Sequence, residues 1–319
     1  MAMNSVISEI KKGKNFLVCS HVGPDGDAMA STLAMGLGLE QLKKKVTYYN
    51  HDPVPENLRF LPASKKVITE LKETFNFDAV FVMDCGALER LGKKFAQFHG
   101  YKKIINVDHH ASNDRYGDIN YILSDAASSG EVVWKVLKKA GCKLTSDIAT
   151  NLYCTLVTDT GSFRYSNTNE HTLKLASEMV AAGADPSTVS IHLFESQPYQ
   201  AFQLLGRLLD RLKVSSDGRY SWSVIYQKDL KEVGTSYEVT EDFINYPRAI
   251  KGVEVAFLFK ELPEGAYKIS MRSKTHIDVS QICMAFGGGG HKKAAACIIK
   301  GSFDDVSQKI FEKVHAVLV

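Results

Sequence analysis

His21-Val22-Gly23-Pro24-Asp25-Gly26-Asp27 lies between two stretches of different texture. Before it, Asn15–Cys19 is a short apolar run that reads as a buried strand. After it, 28–44 carries apolar residues at helical spacing. The seven residues between cannot be helical, because Pro24 and the glycines break a helix. The stretch is therefore a tight loop at the carboxyl end of a strand and the start of a helix. In open α/β sheets, ligands bind at that edge. His21, Asp25 and Asp27 are all potential metal ligands. Asp-Gly-Asp before a helix is equally consistent with a turn plus an N-capping carboxylate, so the rest of the chain decides.

The alternation continues. Strands are expected at 46–49, 79–83 and 103–107, and helices at 88–98, 129–140, 147–156, 170–182 and 186–195. Leu204, Leu205, Leu208, Leu209 and Leu212 then form one apolar helical stripe over 200–212. Strand-like runs at 220–226, 253–260 and 267–271 follow. The expected fold is α/β: a mostly parallel sheet with helices on both faces, followed by a smaller α/β domain. The expected division is a catalytic domain at 1–197, a connector helix and hinge at 198–212, and a substrate-binding domain at 213–319.

The 319 residues suit two domains. With 45% hydrophobic and 24% charged residues, the composition is that of a globular protein. A net charge of +3 does not by itself argue for nucleic acid, although a cleft can be locally basic. No signal peptide or membrane-length apolar run is read, and the six cysteines contain no Cys-x-x-Cys pair. A cytoplasmic protein with reduced core cysteines is expected.

Further polar stations follow apolar runs. Asp84 comes after Ala79–Met83, Asp108-His109-His110 after Ile104–Val107, and Thr158-Asp159-Thr160-Gly161 after Leu152–Val157. Each alone could be a cap or a turn; a histidine doublet following an aspartate is harder to dismiss. His21, Asp25, Asp27, Asp84, His109 and Asp159 suit two divalent cations held by mixed oxygen and nitrogen donors. The lack of thiolates favours Mn²⁺ or Mg²⁺ over structural zinc. A carboxylate such as Asp84 could bridge them, the arrangement used to attack phosphorus with an activated water. Ser128-x-x-Glu131 reads as a capping box and Lys43–Lys45 as a solvated helix end. Arg115 and Arg164 suit a surface role as well as a phosphate contact.

His21-x-x-Pro24-Asp25-x-Asp27, Asp84, Asp108-His109-His110 and Asp159-Thr160-Gly161 together resemble the four-motif signature of the DHH phosphoesterases. The resemblance implies that the six residues ligate two Mn²⁺ ions, with Asp84 bridging. It also implies that His110 faces the substrate phosphate and that Asp108 supports the histidines. Met271-Arg272-Ser273 and Phe286-Gly287-Gly288-Gly289-Gly290-His291, followed by Ala294 and Ala295, resemble the DHH-associated C-terminal domain. Arg272, His291 and the backbone of Gly288, Gly289 and Gly290 are then expected to bind substrate. Ala296 stands where the family often has Gly.

The branch most resembled is the bacterial nanoRNase/pAp phosphatase. It implies hydrolysis of very short single-stranded oligoribonucleotides to 5′-mononucleotides, and of 3′-phosphoadenosine 5′-phosphate (pAp) to AMP. No membrane partner is expected, and a homodimer is one possibility. The competing readings are another DHH phosphohydrolase, acting on cyclic or linear dinucleotides or on polyphosphate, and a non-catalytic nucleotide-binding regulator.

Overall fold

The computed structural model describes residues 2–274 and 276–318. The chain divides into two compact units, Met1–Ser196 and Gln197–Val319.

The first unit contains α1 (Ala2–Lys12), β1 (Asn15–Cys19), α2 (Gly26–Gln41), β2 (Lys45–Tyr49), β3 (Val67–Ile68), β4 (Ala79–Met83), α3 (Lys93–Ala96), β5 (Ile104–Asp108), β6 (Ile119–Ile122), α4 (Ser129–Ala140), α5 (Ser146–Asp159), α6 (Glu170–Ala181) and α7 (Pro186–Phe194). Its strand order is β3-β2-β1-β4-β5-β6, every neighbouring pair being parallel. The chain runs outward from β1 through β2 to β3, then returns to pair β4 on the other side of β1. That reversal opens a crevice at the carboxyl ends of β1 and β4, the usual ligand position in such sheets.

The central strands are apolar on both faces because both faces are covered. Phe16, Val18, Phe81 and Met83 enter one core, whereas Leu17, Cys19, Val80 and Val82 enter the other. The first core packs against α1, α2, α4 and α5. The second is closed more thinly, by aromatic residues including Phe77, Phe95, Phe98 and Tyr101. The single helix expected over 88–98 is in fact a 3-10 turn, Leu88–Leu91, followed by the short α3. Gly92 separates them at φ +86°, a left-handed conformation that ends the first turn.

The second unit contains α8 (Tyr199–Asp210), β7 (Lys213–Val214), β8 (Tyr220–Ile225), α9 (Gln227–Val233), α10 (Asn245–Ala249), β9 (Val255–Leu262), β10 (Ala266–Ser273), α11 (Val279–Met284), β11 (Gly289–His291), β12 (Ala294–Lys300) and α12 (Phe303–Leu318). Its sheet order is β11-β12-β10-β9-β8-β7, with only β8 and β9 parallel. One face carries Phe257, Phe259, Ile269 and Met271 against α11 and α12. On the other, Ala256 and Leu258 meet α8 and the 3-10 helix Tyr237–Ile244.

The helix expected as a connector is thus built into the second unit. Leu204 and Leu208 are fully buried against this sheet, at about 1.5–3 kcal/mol each. Arg211, just past its end, makes a paired contact with the buried carboxylate of Asp229. All six cysteines are buried and unpaired. Among the described residues, no helix is long and apolar enough to cross a membrane.

Candidate active site

The polar groups of the first unit gather at the switch point. His21 follows β1, and its Nδ1 lies 2.8 Å from the Val22 carbonyl oxygen. Asn50, beyond β2, donates to Ser20 Oγ at 2.9 Å and to the His21 carbonyl at 3.2 Å. The Gly23 amide donates to Asp52 at 2.7 Å, which fixes the loop from the other side. Asp25 caps α2, its Oδ1 accepting from the Ala28 amide at 3.0 Å. The capping and ligand readings of Asp25 are therefore compatible, since one oxygen suffices for the cap. Asp27, in the first turn of α2, is buried and accepts from Ser31 Oγ at 3.1 Å.

Asp84 follows β4 with φ +50°, a left-handed backbone that few non-glycine residues adopt and that Asp tolerates better than most. Its Oδ2 lies 3.7 Å from His21 Nε2, and its Oδ1 lies 3.7 Å from His109 Nε2. The two oxygens thus face two different histidines. His109 follows β5, and its Nε2 also lies 3.4 Å from Asp159 Oδ2 and 3.7 Å from Asp27 Oδ2. Asp159 ends α5. Its carbonyl is held by Asn167, which also binds the Ala127 carbonyl. His21, Asp25 and Asp84 offer ligand atoms within 4.8 Å of one another, as do Asp27, His109 and Asp159.

Asp108 has a different part. Its Oδ1 accepts from the His109 amide at 2.6 Å, the His110 amide at 3.1 Å and His110 Nδ1 at 2.8 Å. Its Oδ2 accepts from Asn113 Nδ2 at 2.6 Å. Fully buried and saturated with donors, it fixes the direction of both histidines.

This donor set fits divalent cations. A carbonyl oxygen can only accept, so the carbonyls beside Nδ1 of His21 and His109 place a proton on each Nδ1. Each Nε2 is then the nitrogen that faces the carboxylates, and once it has no proton it has the tautomer a metal ligand needs. The charges point the same way. Burial, followed by the Asp84 and Asp159 charges, pushes Asp27 well above the usual carboxylate range. Burial also raises Asp159, to about 6, despite the opposing His109. Burial works against a proton on His109, yet Asp159, Asp27 and Asp84 outweigh it and push its pKa up to about 10. In the ion-free protein, protons do the neutralising that a cation would do.

A testable consequence follows for loading. Near neutral pH, His109 carries a proton on Nε2 that must leave before that nitrogen can bind a cation. Loading therefore releases protons, and affinity rises with pH until His109 is neutral on its own, at about 10. Calorimetric titration with Mn²⁺ in two buffers of different ionisation enthalpy is expected to give different apparent heats. Equal heats would contradict it.

Ser129 was not among the sequence candidates. It is fully buried, and its Oγ donates to Asp84 Oδ1 at 2.9 Å. Its amide donates to Asp27 Oδ2 at 2.7 Å, and the Gly130 amide donates to Asp27 Oδ1 at 3.2 Å. The start of α4 thus holds both aspartates, as helix N-termini hold anions. A side chain at Gly130 would meet Thr155 Oγ1 at 2.0 Å, so only glycine lets α4 lie this close to α5. The available signal was the Ser128-x-x-Glu131 pattern, which located this helix start. Ser128 does cap it, but Glu131 reaches the amide of Ala127 instead of closing the box on Ser128.

In the second unit, Arg272 lies on β10 opposite Ala294 of β12, which in turn pairs with His291 of β11. The three share one row of the sheet. The glycine run expected to cradle an anion is divided between a helix cap and an edge strand. The Gly287 and Gly288 amides donate to the Met284 and Cys283 carbonyls and cap α11. Gly289 and Gly290 belong to the edge strand β11, Gly289 pairing with Ala296. Arg115 lies in a loop at φ +55°, and Arg164 lies in a turn, its Nε donating to the Gly161 carbonyl at 2.6 Å.

Two α/β units, the first with an aspartate–histidine centre at its switch point, define a hydrolase acting on phosphoester bonds. Residues 15–156 match the DHH family, N-terminal domain, and residues 223–318 match the DHHA1 domain; the chain belongs to the DHH phosphoesterases, in the form that carries a DHHA1 domain. It is 29% identical over 303 residues to the bifunctional oligoribonuclease and PAP phosphatase NrnA of Thermus thermophilus, covering 94% of this chain and 89% of that protein. Identity to the protein of the same description in Bacillus subtilis is 27% over 283 residues, covering 88% and 87%. In structure, the chain resembles an exopolyphosphatase-related protein from Bacteroides fragilis, with a TM-score of 0.87 at 23% identity, covering 98% and 94% of the two chains. RecJ of Thermus thermophilus, solved with Mn²⁺, gives a TM-score of 0.52 at 12% identity, covering 97% of this chain and 54% of that one.

Proposed function

We propose that the chain is a Mn²⁺-dependent enzyme that hydrolyses very short oligoribonucleotides to 5′-mononucleotides and pAp to AMP. The observation that carries the metal-dependent part is the pair of histidines, His21 and His109, each with Nδ1 against a carbonyl and Nε2 facing a different oxygen of Asp84. His21, Asp25 and Asp84 would hold one cation; Asp27, His109, Asp159 and the other oxygen of Asp84 would hold the second. When bound, the ions supply Lewis acidity toward the phosphoryl group and toward the attacking water. The substrate choice is supported by the NrnA relatives, whose likeness spans most of both chains.

His110 differs from the two other histidines. Its Nδ1 rests on the Asp108 carboxylate at 2.8 Å instead of on a carbonyl. Burial opposes its protonation, but Asp84 and Asp108 overcome this and raise its pKa. It is suited to keep a proton and offer it to an oxygen of the substrate phosphate. Ser129 and Asp108 orient Asp84 and the histidines. Arg272, whose planar guanidinium cannot lose its charge, and His291 would take a further phosphate or sugar from the second unit.

A side-by-side assay with Mn²⁺ on pAp, a diribonucleotide, a long RNA and pyrophosphate tests the reading. Turnover of the first two well above the others is expected. Preference for long RNA or for pyrophosphate would reject it.

A further inference from the structure

On the second sheet, Lys260 of β9 stands directly opposite Lys268 of β10. Strand alternation puts both on the face that carries Ala256, Leu258, Ser270 and Arg272, since Phe257, Phe259, Ile269 and Met271 fill the core on the other side. Like charges directly opposite each other destabilise a sheet. Here the cost is greater, because Lys260 is only 7% exposed. Among the described residues, no carboxylate lies within ion-pair distance of its ammonium, and no hydrogen bond accepts from it. Burial, Lys268 and Arg272 push its pKa down to about 8, with Glu241 pulling the other way. An ammonium on a mostly buried side chain, opposite a second one and with no protein acceptor, suits an anion.

The surroundings suit a nucleic-acid strand. Lys268 faces Ile298 of β12, which is 57% exposed, and Ser270 faces Ala296, so a small-residue floor adjoins the lysine row. Lys268 and Arg272 are four residues apart on β10, a span of about 13 Å at the rise of a β-strand. A strand with successive phosphates can place one at each position.

We propose that Lys260 and Lys268 form an anion subsite on the second sheet, separate from Arg272 and His291, that takes an additional phosphate of an oligonucleotide strand. The choice of an oligonucleotide rests on the function proposed above. A single-nucleotide bisphosphate has one phosphate left once the other is reacting, whereas a 5′-phosphorylated trinucleotide has two, one for each position. The subsite therefore favours 5′-phosphorylated trinucleotides and longer chains over pAp.

The test uses the full chain with Lys260→Met, Lys260→Arg and Lys268→Gln, assayed with Mn²⁺ on 5′-phosphorylated triadenylate and on pAp. For Lys260→Met, KM for triadenylate is expected to rise about tenfold or more, with kcat and the pAp constants unchanged. Lys260→Arg restores the wild-type KM. The salt dependence of log KM for triadenylate falls by about 0.7 per charge removed, in Lys268→Gln as well. Unchanged KM and salt slope for triadenylate would overturn the proposal, as would an equal loss on both substrates. If the wild type hydrolyses neither, the proposed function fails and the subsite is read separately. Anisotropy of 3′-labelled, 5′-phosphorylated triadenylate in chelator then decides: weaker binding by Lys260→Met upholds the subsite, and equal binding rejects it.

Discussion

Asparagine at position 84 is expected to lower kcat by at least about 10³-fold, more than loss of one preorganised electrostatic contact commonly costs, while leaving the fold intact. Asparagine is the informative replacement because it tolerates the left-handed backbone that Asp84 adopts at φ +50°. It also keeps an oxygen that can accept from Ser129 Oγ. What it loses is the charge and the second oxygen, so at most one of the two histidine groups keeps an oxygen donor from this position. A second readout separates this from general damage. In the ion-free wild type, Asp84 is one of the charges that raise His21 and His109. Both imidazoles should therefore titrate lower in the variant, as NMR can follow. Turnover within about tenfold of wild type, less than the lower bound typical of such a loss, would show that Asp84 does not join the two groups.

Arg272→Ala is expected to reduce kcat/KM for a diribonucleotide and for pAp at least about tenfold, and His291→Ala to act in the same direction. A truncated charge contact of this kind costs about 2–5 kcal/mol, and about 1.4 kcal/mol is one decade. Arg272 and His291 share a row across β10, β12 and β11, so either change disturbs the same patch. Both belong to the second unit, whereas the six candidate ligands all lie in the first. The variants should therefore still bind Mn²⁺ and keep much of their activity on a small chromogenic phosphodiester. Proportional losses on large and small substrates would make the second unit part of the catalytic machinery instead of the source of specificity.

The central strands were legible because burial on both faces forces continuous apolar runs, as in Asn15–Cys19 and Ala79–Met83. The polar residues that end those runs mark the carboxyl edge of the sheet, which is why the candidate ligands could be gathered before any coordinates. The edge strands Val67–Ile68 and Ile119–Ile122 are short and only half-buried, so they carried no comparable pattern. Ser129 was hidden for another reason: its role depends on α4 starting beside Asp27, 102 positions away in the chain. The local structure of the glycine run was not legible, because a helix cap, an edge strand and an anion cradle share a composition.

The central claim is that Asp84 joins two cation sites, each completed by a histidine that binds through Nε2. Anomalous diffraction from crystals grown with Mn²⁺ tests it most directly. The expected map has two peaks flanking the Asp84 carboxylate, one beside His21 Nε2 and the other beside His109 Nε2. A single peak, or a peak reached through Nδ1 of either histidine, would contradict the account.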